Sequence, residues 1–380
     1  MKLLILLGCK FMKIFSKCNT WLLQSAEDQD HKRFASLLHF WGVDINSQNQ
    51  SGETSLHIAA KNKNKKMVEG LLSYPDIIDV NATDNNNSTP LHIVAADRND
   101  TEIFPLIINH PAIDMEAPDN QERTPLHVAS ESGNIVLARS LIAKGVNINL
   151  LDKNRNAPLH TALKNNKEEI AKLLLDQPDI DVNLRGNDLN TPLHIAIRES
   201  CSAINWLLKK RADVNLCNKD GDTPLHIAVK GDYLEVIQQL AKENADLNLG
   251  NEEGNRALDI ALRGKNQAVA KFLLDQPGIK ASPEDWDNYV QLQREAFKSV
   301  QDKITESSLK KGSTKYPKAV KFKSTTELIQ IKPAITKKLY PELRDSINEY
   351  INEDGLNPSS SQDDFGIKLL GGSDAFSAPL

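Results

Sequence analysis

A short phrase returns along this chain at a spacing of 32 to 35 residues, and that recurrence leaves few ways to fold it. Thr54-Ser-Leu-His-Ile-Ala-Ala comes back as Thr89-Pro-Leu-His-Ile-Val-Ala, Thr124-Pro-Leu-His-Val-Ala-Ser and Ala157-Pro-Leu-His-Thr-Ala-Leu. Thr191-Pro-Leu-His-Ile-Ala-Ile and Thr223-Pro-Leu-His-Ile-Ala-Val follow, and a degenerate seventh copy, Ala257-Leu-Asp-Ile-Ala-Leu, puts Asp259 where the others have histidine. A period of this length marks a stack of small units, each unable to bury its own apolar face without a neighbour.

Each position in the phrase has a physical role. The threonine hydroxyl suits the N-cap of a helix, where it can accept from an orphan backbone N–H. Proline follows in the first turn, where no N–H is needed and its φ is already helical. Leucine and the small alanines then face the adjoining unit, alanine permitting close approach. A second helix follows with apolar residues at helical spacing, as in Glu169-Ile-Ala-Lys-Leu-Leu-Leu175. Each unit closes on a turn and a short extended pair: Ile45-Asn46, Val80-Asn81, Ile148-Asn149, Val182-Asn183, Val214-Asn215 and Leu247-Asn248. Asparagine is expected there because it tolerates left-handed backbone and bonds its own main chain. Two endings alternate. One is Gly145-Val146-Asn147, Ala212-Asp213 or Ala245-Asp246; the other is a proline form at Pro75, Pro111, Pro178 and Pro277, which stops the helix and lengthens the period.

The T-P-L-H phrase and its period resemble the ankyrin repeat, over roughly residues 20–280. The resemblance implies an all-α solenoid of helix–turn–helix units with hairpin tips, followed by a short helical C-terminal extension. It also implies that His57, His92, His127, His160, His194 and His226 make structural hydrogen bonds between repeats, not catalytic or metal-binding ones. Carried over slot by slot, the family's concave face corresponds to Lys61, Asn62, Asp97, Arg98, Glu131, Ser132, Lys164, Asn165, Arg198, Glu199, Lys230 and Arg263. Their signs read as alternating, without an acidic or basic stripe. A mixed polar groove of this kind suits a protein partner.

The expected organisation is a basic segment at 1–18 and a stack at 19–280 made of an N-terminal end unit and seven repeats. A helical extension at 281–352 carries a basic linker at 307–326, and a polar tail at 353–380 ends the chain. In the end unit, Leu22, Leu23, Phe34, Leu37 and Leu38 supply the buried face and Gly42-Val-Asp-Ile-Asn46 closes it. After Lys280, Ser282 and Pro283 read as the N-cap and first position of a helix whose Trp286, Tyr289, Ala296, Phe297, Val300 and Ile304 share a face, a cap on the last repeat. Residues 339–351 form a second amphipathic segment.

Composition narrows the function classes. Net charge is −5, and the central body is the acidic part, which disfavours clamping nucleic acid. Cys9, Cys18, Cys201 and Cys217 are too far apart for a zinc motif, and no histidine follows His226 or cysteine Cys217. No phosphate-binding loop, dinucleotide turn or zinc-protease motif is present. The expectation is a cytoplasmic, monomeric, non-catalytic scaffold for a protein partner, without cofactor, metal, nucleic acid or membrane span. A second expectation comes from analogy: the asparagine- and lysine-rich composition and polar tail resemble ankyrin effectors that intracellular bacteria deliver into host cells. In that case the stack would select a target for an activity in the C-terminal region. Met1 or Met12 can serve as the start.

Overall fold

The computed structural model describes residues 17–39, 43–199 and 202–310. The expectations for the first sixteen residues, Gly42, Cys201, the amphipathic segment at 339–351 and the tail fall outside these residues. Within them the chain is a run of antiparallel helix pairs. An end pair, α1 (residues 17–27) and α2 (His31–Leu38), precedes seven repeats. The first helices of the repeats are α3 (Ser55–Lys61), α5 (Pro90–Ala96), α7 (Pro125–Ser132), α9 (Pro158–Lys164), α11 (Pro192–Arg198), α13 (Pro224–Lys230) and α15 (Ala257–Arg263). Their partners are α4 (Lys65–Leu72), α6 (Phe104–Ile108), α8 (Ile135–Ala143), α10 (Glu168–Leu175), α12 (Ala203–Lys209), α14 (Leu234–Lys242) and α16 (Gln267–Leu274). A longer helix, α17 (Pro283–Lys310), follows, so the expected linker is helical in its first four residues.

First helices pack on first helices from α3 through α15, and second helices form a parallel row behind them. The core is therefore a continuous ribbon. Leu56, Leu91, Leu126, Leu159, Leu193, Leu225 and Leu258, one per repeat, are all fully or almost fully buried. Three residues on from each, Ala59, Ala129, Ala162, Ala196, Ala228 and Ala261, with Val94 in the second repeat, are buried as well. In the end pair Leu22, Leu23 and Phe34 are buried while Leu37 and Leu38 are half-buried against them, as expected of a terminal unit.

The turn at the end of the second helix needs a left-handed residue in the short form: Gly145 (φ 81°), Arg211 (φ 61°) and Asn244 (φ 62°) supply it. The asparagines that follow behave differently from the sequence expectation. None of Asn46, Asn81, Asn149, Asn183, Asn215 and Asn248 has a positive φ, and they do not chiefly bond their own turns. Asn46 instead donates to the Ile77 carbonyl (2.8 Å) and accepts from Asp79 N–H (2.8 Å), about thirty residues ahead. Asn81, Asn149 and Asn248 repeat the double bond to the next unit. The physical reason is that a side-chain amide presents an NH2 that donates beside an oxygen that accepts, so it can pair with the next unit's backbone as a strand would.

At the hairpin tips a second Asx residue folds the loop. Asn49, Asp84, Asp119, Asp152, Asn218 and Asn251 each accept, through one side-chain oxygen, from the N–H groups two and four residues on. Gly186 takes that place in the fifth repeat and cannot. The loop there tightens into a single 3-10 turn, Asn187–Leu189, with both Asp188 (φ 52°) and Leu189 (φ 58°) left-handed.

Candidate docking face

Six histidines recur in one slot of the stack, where their rings would suggest chemistry. His57 Nδ1 accepts from the backbone N–H of Thr54 (3.2 Å) and faces its hydroxyl (2.9 Å). A neutral ring that accepts at Nδ1 must carry its proton on Nε2, and Nε2 lies 2.9 Å from the Ser88 carbonyl of the next repeat. The same bond reaches Arg123 from His92, Asn156 from His127, Asp222 from His194 and Asn255 from His226, at 2.9–3.0 Å. In the fourth repeat the hydroxyl is missing because Ala157 fills the threonine slot. His160 Nε2 is shared there between the carbonyls of Leu184 (3.0 Å) and Asn190 (3.2 Å). The threonine hydroxyl is thus first a partner for the ring. Its capping contact to the helix, from the N–H of His57 or His226, is long at 3.5 Å.

Burial keeps these rings neutral. Desolvation lowers all six pKa values below the ordinary imidazole range, with His160 and His194 pushed down to about 4. A ring with both nitrogens engaged in the stack has no lone pair or proton to offer a substrate. Among the described residues no group of histidine, cysteine, aspartate or glutamate side chains could hold a metal ion.

The seventh repeat substitutes a different device. Arg256 sits in the threonine slot, and its N–H donates to Asp259 Oδ2 (2.8 Å) as threonine's does to histidine. The guanidinium also binds Asp259 (2.7 Å), the carbonyl of Lys280 and both oxygens of Asp285 (3.0 and 3.1 Å). Asp285 in turn accepts from Ser282 N–H (2.7 Å), while Ser282 Oγ accepts from Asp285 N–H (3.1 Å), closing a capping box at the start of α17. The lost histidine bond to a further repeat becomes an ionic bond to a helix.

The residues expected on the docking face lie where the first helices end, but they do not act alike. Asn62 donates to the Ala26 carbonyl (3.4 Å) and Ser132 to the Ala95 carbonyl (2.7 Å), each in the preceding unit; both are half-buried ties within the stack. Asp97 pairs with Lys63 across a repeat boundary, and Asn165 donates to its own helix at Thr161 (2.9 Å). Lys61 pairs with Glu53 (3.0 Å), Glu131 with Arg123 (2.8 Å), and Lys230 with the buried Asp222. Arg198 meets Glu199 through Nε (3.3 Å), and Arg263 donates to the Asp259 carbonyl (3.4 Å). Arg98 and Lys164 are exposed and make no ion pair among the described residues.

Three of these pairs join residues eight apart, which defines the face. The residue just before the threonine slot, at the base of the hairpin, stands beside the last residue of the first helix. Sequence reading found the helix positions and missed the hairpin ones: Glu53, Ser88, Arg123, Asn156, Asn190, Asp222 and Asn255. The signal that could have found them is the recurring charge complement at a separation of eight. Alignment on the histidine slot also corrects the expectation of alternating sign. The helix-end position reads Lys61, Ala96, Glu131, then Lys164, Arg198, Lys230 and Arg263. Four consecutive repeats end in a cation; the alternation arose from mixing this position with the residue after it.

A family profile described as ankyrin repeats, three copies, matches residues 22–119, 77–152, 136–216 and 193–285. The chain belongs to the ankyrin-repeat family. The match covers the stack from the end pair to the opening of α17 and includes the whole of the histidine and asparagine ladders. No curated protein matches the chain closely enough to be counted a relative. Ankyrin repeats are in general protein-interaction modules, so a protein partner is the coarse functional statement that family membership supports. Among the described residues no helix is long and apolar enough to cross a membrane.

Proposed function

We propose that this ankyrin-repeat protein is a non-catalytic docking scaffold whose partner is another protein. The partner seats on the concave face formed by hairpin bases and first-helix ends. One observation supports the reading: the residues that recur from repeat to repeat are consumed by the stack, while the hairpin-base and helix-end slots differ in charge between the first three repeats and the last four. Histidine, the turn asparagines and the tip Asx residues are bonded to backbone, so they hold the frame. Lys61, Ala96 and Glu131 occupy one geometric position with three different side chains, all exposed. Specificity resides where side chains vary on a fixed frame.

Steric blockade tests it. Tryptophans placed at Ala96 and Asn165 obstruct the face whatever the partner's charge, whereas Val136→Trp adds bulk to an exposed position on α8. The face variants should lose a co-purifying protein partner that the α8 variant retains. Equal retention by both would place the partner elsewhere.

A further inference from the structure

The face is not electrically uniform along its length. In the first three repeats the hairpin-base and helix-end slots neutralise themselves: Glu53 with Lys61, Ser88 beside Ala96, Arg123 with Glu131. In the last four the helix ends are Lys164, Arg198, Lys230 and Arg263, and their hairpin-base companions are Asn156, Asn190, Asp222 and Asn255. Two of the four cations meet a carboxylate: Asp222 is buried under Lys230, and Glu199 touches Arg198 only through Nε. Lys164 and Arg263 have no ion-pair partner among the described residues. A cation at a helix C-terminus also complements the helix dipole. That alone does not require the stripe, since α5 and α7 place Ala96 and Glu131 at the same position.

At the far end of this stripe lies an open cleft of about 840 Å³ between α15, the turn into α16 and α17. Val229, Ile260, Ala261, Leu292 and Ala296 line it on the apolar side, and Lys230, Asp232 and Lys265 are among its polar lining. Lys265 is paired with Glu295 (2.7 Å) across it. Stripe and cleft are separate features, and they meet at the α13–α15 end.

We infer that the second half of the face binds an extended acidic segment of the partner protein, carrying an apolar side chain that enters the cleft beside α17. This rests on the docking face proposed above and names the chemistry of its occupant. The spacing is prescribed by geometry. Packed helices stand about 8–10 Å apart, and an extended segment in the polyproline II form advances about 3.1 Å per residue with three residues per turn, so every third side chain returns to the same face at about the repeat interval. The matching segment has an acid at every third position over four repeats. A nucleic acid fits less well. Its phosphates come at a closer interval than the repeats.

The probe is a fluorescent synthetic peptide with aspartate at every third residue and leucine at both ends, titrated against the full chain by polarisation. A peptide of the same composition with its aspartates clustered, a leucine-free peptide and a twelve-residue oligothymidylate serve as comparisons. The spaced peptide should bind, and Lys164→Glu with Arg198→Glu should weaken it by at least about tenfold. The milder pair Lys164→Gln and Arg198→Gln should weaken it less, with unchanged melting temperature. Lys230 is left intact because it neutralises buried Asp222. Ala296→Trp, filling the cleft, should weaken only the leucine-bearing peptides. Binding of the clustered peptide or the oligonucleotide as tightly as the spaced one, or indifference to both charge variants, overturns the inference. If the peptides fail while tryptophans at Ala96 and Asn165 still displace the partner, the face stands and the acidic occupant falls.

Discussion

At the scale of single residues, the chain distinguishes side chains that build from side chains that can bind, and hydrogen-bond saturation is the criterion. In the repeated phrase threonine was legible as a helix cap and histidine as a bond between repeats, but not as partners of one another. Their division of labour was not legible, because the carbonyl that each ring meets lies about thirty residues away and depends on the stacking register. Ala157 exposes the logic by its absence. Its backbone (φ −82°, ψ 167°) matches that of Thr54, Thr191 and Thr223, so a threonine fits there without strain. Ala157→Thr restores the hydroxyl partner of His160 and should raise stability by about 1 kcal/mol, read as a higher urea midpoint with an unchanged slope.

At the scale of elements, the end of the stack is the informative place. Loss of proline and histidine in the seventh copy marks in sequence that a repeat meets something different. What replaces them required the structure, because Arg256, Asp259 and Asp285 are joined only once α17 is laid against α15. Burial alone would raise the pKa of Asp285; the Ser282 N–H and the Arg256 guanidinium together hold it below the usual carboxylate range. Asp285→Asn removes the charge from this bond and from the capping box. The expected cost is about 1–3 kcal/mol, with faster amide exchange in the first turns of α17 than in α9 or α11. Uniform exchange along the chain would show that α17 is held by its apolar contacts, Tyr289 and Trp286, alone.

For the whole molecule, the repeat made the fold readable from one sequence, since period, helix order and core positions follow from a phrase that occurs seven times. The docking face was half readable. Its helix-end slots come from family position, whereas its hairpin-base slots and the run of four cations emerge only when repeats are superposed on the histidine. The neutral rings also give the stack a common response to acid. Each folded pKa lies below its unfolded value, so the unfolded chain takes up protons first as pH falls, and stability is lost from about pH 6.5 downward. For His160 and His194 the loss continues to about pH 4, each contributing up to about 1.4 kcal/mol per pH unit within that window. Urea midpoints should therefore fall steadily between pH 7 and pH 5, above the range in which Asp119 and Asp285, both held below the ordinary carboxylate value, are protonated.

The central claim is that function lies on the variable slots of a saturated frame. A photo-reactive phenylalanine derivative can be placed singly at Lys164, at Arg198 or at Val136 on α8, and crosslinked in the cell that produces the chain. The account predicts the same protein adduct from the first two positions and none from the third. An adduct from Val136 with neither of the other two would contradict it.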